Sequence, residues 1–331
     1  MRRFLTLAAA VVLAIGLTAV ARGASAASVG ISPGKAWKDS QGHPIQAHGG
    51  GMIKVGSTYY WFGEDKTGES QDNAFFRNVT CYSSTDLAHW TFVANALTRQ
   101  PSGELGPNRV IERPKVIFNA TTHQYVMYMH VDTPGHTATR VGVATSPTVC
   151  GPYSYRGSVQ PMGFKSLDIT LFQDDDGSAY LLSESRTDGL RMYKLSADYL
   201  SVVSLVTVLD DFEAPAMFKL NGRYYLLGSR KTGWRTNDNS YTTSTSLSHG
   251  WAAWKLFAPK GSKTFNSQTT YVLPVAGSQA TTFMFMGDRW KPDSLGTSPY
   301  IWLPLTVKGT SVSLAWHDKW FVDTATGRWH T

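Results

Sequence analysis

The chain has 331 residues, with 31 Lys and Arg against 24 Asp and Glu, a formal net charge of +7, and 12% aromatic residues including eleven tryptophans. Three positive charges, Arg2, Arg3 and Arg22, fall in the leader, and the rest are scattered without a Lys/Arg run, which argues against a nucleic-acid partner. Beyond the leader no run of eighteen apolar residues occurs, which excludes a helical membrane protein.

Arg2 and Arg3, the apolar run from Phe4 to Ala21 and the small residues Ala24-Ser25-Ala26 read as a secretory signal peptide over 1–26. The remainder, 27–331, is then a secreted, extracellular chain. No Pro/Ser-rich linker divides it, so it is expected to be one domain and a monomer. Export permits a single disulfide between Cys81 and Cys150, although two cysteines do not make a disulfide scaffold.

Helical periodicity is scarce, and short alternating runs bounded by Gly, Asn and Asp recur throughout. One unit appears five times: an apolar strand, a polar turn and an aromatic-rich return strand. In chain order these are "GMIKVGSTYYWFGED", "KVIFNATTHQYVMYMHVD", "ITLFQDDDGSAYLLSES", "AMFKLNGRYYLLGS" and "TTYVLPVAGSQATTFMFMGDRW". They begin near residues 51, 115, 169, 216 and 269, with further strand pieces between them. About four strands per unit, five times over, predicts an all-β, five-bladed β-propeller. The late segment "VSLAWHDKWFVD" is expected to add a closing strand to the first blade.

In such a ring the heads of the inner strands converge, and the polar residues there are Glu112, Asp168, Glu213 and Gln268. The first head has His48 and three glycines instead, Gly49 to Gly51. A phosphate loop leads from a strand into a helix, whereas these glycines lead into a strand, so nucleotide binding is excluded. Convergent carboxylates in an exported, aromatic-rich chain point to glycoside hydrolysis, in which one acid protonates the leaving oxygen and a second group activates water or attacks. No HExxH or CxxC motif supports a metal centre, no Gly-x-Ser-x-Gly elbow is present, and no cofactor is expected. "DDDGS" at 174–178 lacks the terminal acid of a calcium loop and is read as a turn.

At "AHGGGMIKVGSTYYWFGED", "ERPKVIFN", "DITLFQDDDGSAYLL", "EAPAMFKLNGRYYLLGS" and "SQTTYVLPV" the sequence resembles glycoside hydrolase family 43, most closely its exo-β-1,3-galactanase branch. The resemblance implies that Glu213 is the general acid and Asp168 the residue that tunes and orients it. The family's usual first-blade Asp base is missing here, as in that branch, where a Glu matching Glu112 and a Gln matching Gln268 face the sugar. Either Gln268, as its imidic-acid tautomer or by positioning water, or Glu112 would then serve on the water side. Glu64 matches a substrate-contacting acid. Trp234 is expected to stack on sugar, with Tyr128, Asp288 and Arg289 as further contacts and His48 at the edge. The bare glycines are expected to leave room for the sugar or its water. The implied activity is inverting release of galactose from the non-reducing end of β-1,3-galactan, the backbone of arabinogalactan. The rival readings are β-xylosidase, α-L-arabinofuranosidase, arabinanase, or a silent sugar-binding propeller.

Overall fold

The structure is a computed structural model and describes residues 30–331. The expected signal peptide lies outside the described residues. Blade 1 comprises β1 (His48–Val55), β2 (Thr58–Glu64), β3 (Asn78–Ser84) and β4 (Thr91–Thr98), and blade 2 comprises β5 (Val110–Asn119), β6 (Gln124–Asp132), β7 (Arg140–Ser146) and β8 (Ser154–Val159). Blade 3 follows with β9 (Ile169–Gln173), β10 (Ala179–Glu184), β11 (Leu190–Leu195) and β12 (Val202–Leu209). Blade 4 holds β13 (Glu213–Leu220), β14 (Arg223–Ser229), β15 (Ser240–Ser244) and β16 (Lys255–Leu256). Blade 5 holds β17 (Gln268–Ala276), β18 (Thr281–Asp288), β19 (Tyr300–Lys308) and β20 (Ser311–Leu314).

Each blade is a four-stranded antiparallel sheet whose strands neighbour one another in chain order. The first strand of every blade packs against the first strand of the next, and β17 returns to β1, so the ring is a five-bladed β-propeller. Local chemistry makes the hairpins tight. Asn221 and Gly222 both take positive φ between β13 and β14, as a primed turn requires. The acidic run at 174–178 is likewise the turn between β9 and β10. Among the described residues no helix is long and apolar enough to cross a membrane.

The expected closing strand does not form. Ser311–Leu314 completes blade 5 as β20, while the strand beyond it, β21 (Phe321–Val322), pairs only with β22 (Trp329–His330). Blade 1 takes all four of its strands from residues 48–98, with none from the C-terminal segment. Side chains close the seam instead. Trp61 of blade 1 packs 4.6 Å from Trp302 of blade 5, with Trp37 at 4.7 Å from Trp302 and Trp90 at 5.2 Å from Trp61. A bridge between Ile31 and Trp320 lies alongside, and the Trp320 indole donates to the Trp302 carbonyl at 2.9 Å. Five of the eleven tryptophans, Trp37, Trp61, Trp90, Trp302 and Trp320, are therefore mortar between blades 1 and 5. Cys81 on β3 and Cys150 after β7 form a disulfide that joins blade 1 to blade 2.

Removing the central indole should loosen the seam. Trp302→Ala is expected to lower stability by about 3–5 kcal/mol, the usual range for emptying a buried Trp site, read as a drop in the thermal midpoint. An unchanged midpoint would show that the seam contributes little.

Candidate active site

Four of the five inner strands lose register near their heads: β1 between His48 and Gly51, β5 between Glu112 and Lys115, β13 between Glu213 and Ala216, and β17 between Thr269 and Tyr271. In the first three the residue after the head turns left-handed, with φ of 60° at Gly49, 55° at Arg113 and 54° at Ala214. A bulge of this kind re-aims a side chain and ends pairing. It costs conformational energy wherever a Cβ is present, so at Arg113 and Ala214 the surroundings must hold it. Asp168 reaches the same rim from the residue just before β9.

The heads surround a pocket of about 280 Å³ that contains Glu112, Asp168, Glu213 and Gln268 together with Glu64 and Trp234. That volume lies at the small end for ligand sites and suits one sugar ring better than a long chain. Arg113, Lys66, Glu184 and Trp290 also line it, as do His130 and His136, none of which stands at the head of an inner strand. A register rule finds two of them. On the return strands Glu64 lies opposite His48 and His130 opposite Glu112, both at the pocket, whereas Ser229 opposite Glu213 and Asp288 opposite Gln268 are buried outside it. In blade 3 the Glu184 amide donates to the Asp168 carbonyl, which puts Glu184 in the same place.

Arg113 organises the acid side. Its backbone N–H donates to Glu64 Oε1 at 2.8 Å, and Nη1 donates to the Thr269 carbonyl at 2.9 Å. Nη2 reaches Gln268 Oε1 at 2.6 Å and Asp168 Oδ2 at 3.0 Å. Gln268 Oε1 also accepts from the Trp290 indole at 2.9 Å, so the oxygen end of the amide meets two obligatory donors. This fixes the amide orientation, and Nε2 donates to Glu213 Oε1 at 2.9 Å. Burial and the neighbouring Asp168 carboxylate push the Glu213 carboxyl up to about 8, which keeps it protonated at neutral pH. Asp168 Oδ2 accepts the Ala214 N–H at 3.0 Å and so pins the bulge that carries Glu213.

Lys66 organises the other side. Its buried ammonium lies 2.7 Å from Glu64, 3.2 Å from Glu69 and 3.3 Å from Glu112. Despite the opposing effect of burial, Lys66 and His130, whose Nδ1 lies 3.2 Å from Glu112, hold the Glu112 carboxyl far below its ordinary range. Burial dominates at Glu69 and raises it to about 7. Glu64 borders the pocket but is only 4% exposed, and it acts chiefly as the acceptor for Arg113 and Lys66.

Several expected contacts lie elsewhere. Tyr128 is buried between blades 2 and 3, and its hydroxyl donates to the Tyr199 carbonyl. His48 is fully buried, stacked on Tyr300, with Nδ1 at 3.0 Å from Asp288 Oδ1. Asp288 spends its other oxygen on the Gly49 N–H, so the pair anchors the β1 bulge rather than sugar. Arg289 donates to the Phe265 carbonyl and borders an adjoining depression across Trp234 and Trp290. The glycines leave no room for substrate either. A Cβ on Gly49 would lie 2.2 Å from Glu64 Oε1, one on Gly50 1.7 Å from the Phe62 carbonyl oxygen, and one on Gly51 2.8 Å from the Lys115 side chain. The space they free is filled by the protein itself.

Comparison with known proteins agrees with this geometry. The model of the glycosyl hydrolases family 43 matches residues 46–267. The chain is 41% identical to an exo-β-1,3-galactanase from Phanerochaete chrysosporium solved with galactose, over 91% of this chain and 70% of that one, with a TM-score of 0.87. It is 36% identical to an exo-β-1,3-galactanase from Clostridium thermocellum, over 91% and 68% of the two chains, with a TM-score of 0.85. A β-D-galactofuranosidase from Aspergillus niger is 31% identical over 209 residues, 56% of each chain. The chain spans about half the length of the curated relatives it matches.

Lys66→Met would leave Glu64, Glu69 and Glu112 without their shared cation. The expected loss is about 3–5 kcal/mol, as for breaking a buried ion pair from one side. The loss should be smaller at pH 5 than at pH 8, because unpaired buried carboxylates regain neutrality by protonation. A loss independent of pH would show that Lys66 acts by packing alone.

Proposed function

We propose that this chain, which belongs to the glycosyl hydrolases of family 43, releases single galactose units from the non-reducing end of β-1,3-galactan with inversion at the anomeric carbon. The observation that carries the reading is the pairing of a protonated Glu213 with an ionised Glu112 two blades away, across a pocket sized for one sugar ring. The relatives solved as exo-β-1,3-galactanases support the linkage and the sugar. In this reading the chain is exported through its leader and acts on arabinogalactan outside the cell.

In a single displacement the Glu213 proton passes to the glycosidic oxygen as the bond from the anomeric carbon to that oxygen breaks. Water attacks the opposite face, its oxygen bonds to the anomeric carbon, and its proton passes to Glu112. Inversion needs acid and base roughly 6.5–9.5 Å apart to admit that water. Gln268 is hydrogen-bonded directly to Glu213, and its oxygen faces two donors that would oppose an O–H tautomer. It therefore holds the acid and the sugar, and the carboxylate of Glu112 takes the proton. Solvent exchange then reprotonates Glu213 and frees Glu112. Trp234 and Trp290, edge-to-face at 5.7 Å beside the carboxylates, offer apolar faces to the ring.

Incubation with β-1,3-galactan, followed by NMR of the first product, should show galactose released as the α-anomer. The β-anomer first would overturn inversion, and binding without product would favour a silent sugar-binding propeller. Glu213→Gln should abolish release while sugar binding persists. Because Glu213 must be protonated and its carboxyl lies near 8, kcat/KM should fall as pH rises through about 8. Glu112→Gln should cost more activity than Gln268→Ala, and the reverse order would move the base to Gln268.

A further inference from the structure

The return strand of blade 2 ends in a cluster of which the hydrolytic reading uses only the His130 contact to Glu112. His130 and Asp132 project from the same face of β6, two residues apart, and the loop that follows brings back His136. We infer that His130, Asp132 and His136 form a site for one transition-metal dication of the zinc class, set into the pocket wall behind Glu112.

His130 Nε2 lies 2.8 Å from Asp132 Oδ2, and His136 Nδ1 lies 3.5 Å from the same oxygen. All three ligand atoms fall within 4.8 Å of one another. Around a tetrahedral zinc with bonds of about 2.0–2.2 Å, ligand atoms sit about 3.3 Å apart. The 2.8 and 3.5 Å separations lie within about half an ångström of that spacing, and the two ring nitrogens, no more than 4.8 Å apart, would close on the ion. The donor set, two imidazoles and one carboxylate, is of the kind that zinc accepts, and three protein ligands leave a fourth position open.

Three further features fit a metal as well as they fit the imidazolium that His130 forms between Glu112 and Asp132. His130 turns its other nitrogen, Nδ1, to Glu112 Oε2 at 3.2 Å, the carboxylate–histidine–metal arrangement that orients a ligating ring. Asp132 is held by its far oxygen: Oδ1 accepts the N–H groups of Thr133 and Ala138, both at 2.8 Å, which leaves Oδ2 presented to the two rings. His136 Nδ1 is enclosed, and among the described residues its one close polar neighbour is Asp132 Oδ2 at 3.5 Å. The two imidazoles lie nearly parallel, 14° apart, and both border the pocket. The open fourth position can then take water or a sugar hydroxyl. An ion here fixes His130 as the neutral tautomer with its N–H on Glu112, and so couples metal to a pocket carboxylate.

The test is calorimetric titration of the chelator-treated protein with zinc chloride, repeated with cobalt chloride to read the visible bands of tetrahedral Co2+. One ion per chain is expected, with proton release on binding. His136→Ala, at a half-exposed position that folding should tolerate, is expected to abolish saturable binding and the cobalt spectrum. Glu112→Gln should weaken affinity about ten- to a hundredfold while keeping the stoichiometry, as loss of an orienting partner does. His89→Ala, which removes an exposed histidine paired with Asp86, should change nothing. Absence of saturable binding, binding that survives His136→Ala, or binding lost with His89→Ala would each overturn the site. None of these outcomes depends on whether galactan is the substrate.

Discussion

A single buried guanidinium sets the geometry on which the pocket depends. Arg113 sits on blade 2, yet its donors reach Asp168 of blade 3 and Gln268 and Thr269 of blade 5, while its own amide holds Glu64 of blade 1. A propeller blade is a separate sheet, so nothing in the hydrogen-bonded ladders aligns the rim of one blade with the next. Arg113 supplies that alignment with a charge that cannot be lost in the accessible pH range. Its left-handed backbone is the means, because a regular strand would point this side chain into an interblade layer.

The opposite electrostatic states of Glu213 and Glu112 follow from the company each keeps. Glu213 is half-buried beside another carboxylate and, among the described residues, receives only the neutral Gln268 amide as a side-chain donor, so the neutral acid is favoured. Glu112 has an ammonium and an imidazole within 3.3 Å, so the anion is favoured. Two residues of one type thus occupy opposite protonation states within one small cavity, which is how environment rather than residue identity assigns acid and base.

Much of this was legible in the sequence. The fivefold repeat placed Glu112, Asp168, Glu213 and Gln268 at equivalent offsets, and equivalence in a ring means convergence. Arg113 and Lys66 were not legible, because the partners of Arg113 come from blades 1, 3 and 5, Lys66 joins Glu64 and Glu69 to Glu112 of blade 2, and each looks locally like a solvated charge. His130 and Glu184 could have been found by counting register from the hairpin turns, since each lies opposite a head residue. Tyr128, two residues short of His130 on the same strand face, shows the limit of that count. Periodicity gives the face of a strand, but not the depth at which that face stops touching the next blade and begins to touch the pocket. The glycine run was misread for a related reason. Space freed by a missing Cβ belongs to whatever is nearest, and here that is Glu64, the Phe62 carbonyl and Lys115.

The seam between blades 1 and 5 carries one more implication. Every blade keeps all four of its strands in sequence order, and the first and last blades meet through indole rings rather than a shared strand. The backbone bonds that cross it come from outside the blades: Ile31 and Trp320 exchange a pair, the Gly34 N–H donates to the Tyr300 carbonyl, and the Leu295 N–H donates to the Glu69 carbonyl. The seam is thus a clasp made by the segments that flank the blades, and a chain rearranged to begin at another blade would have to keep those segments to keep the clasp.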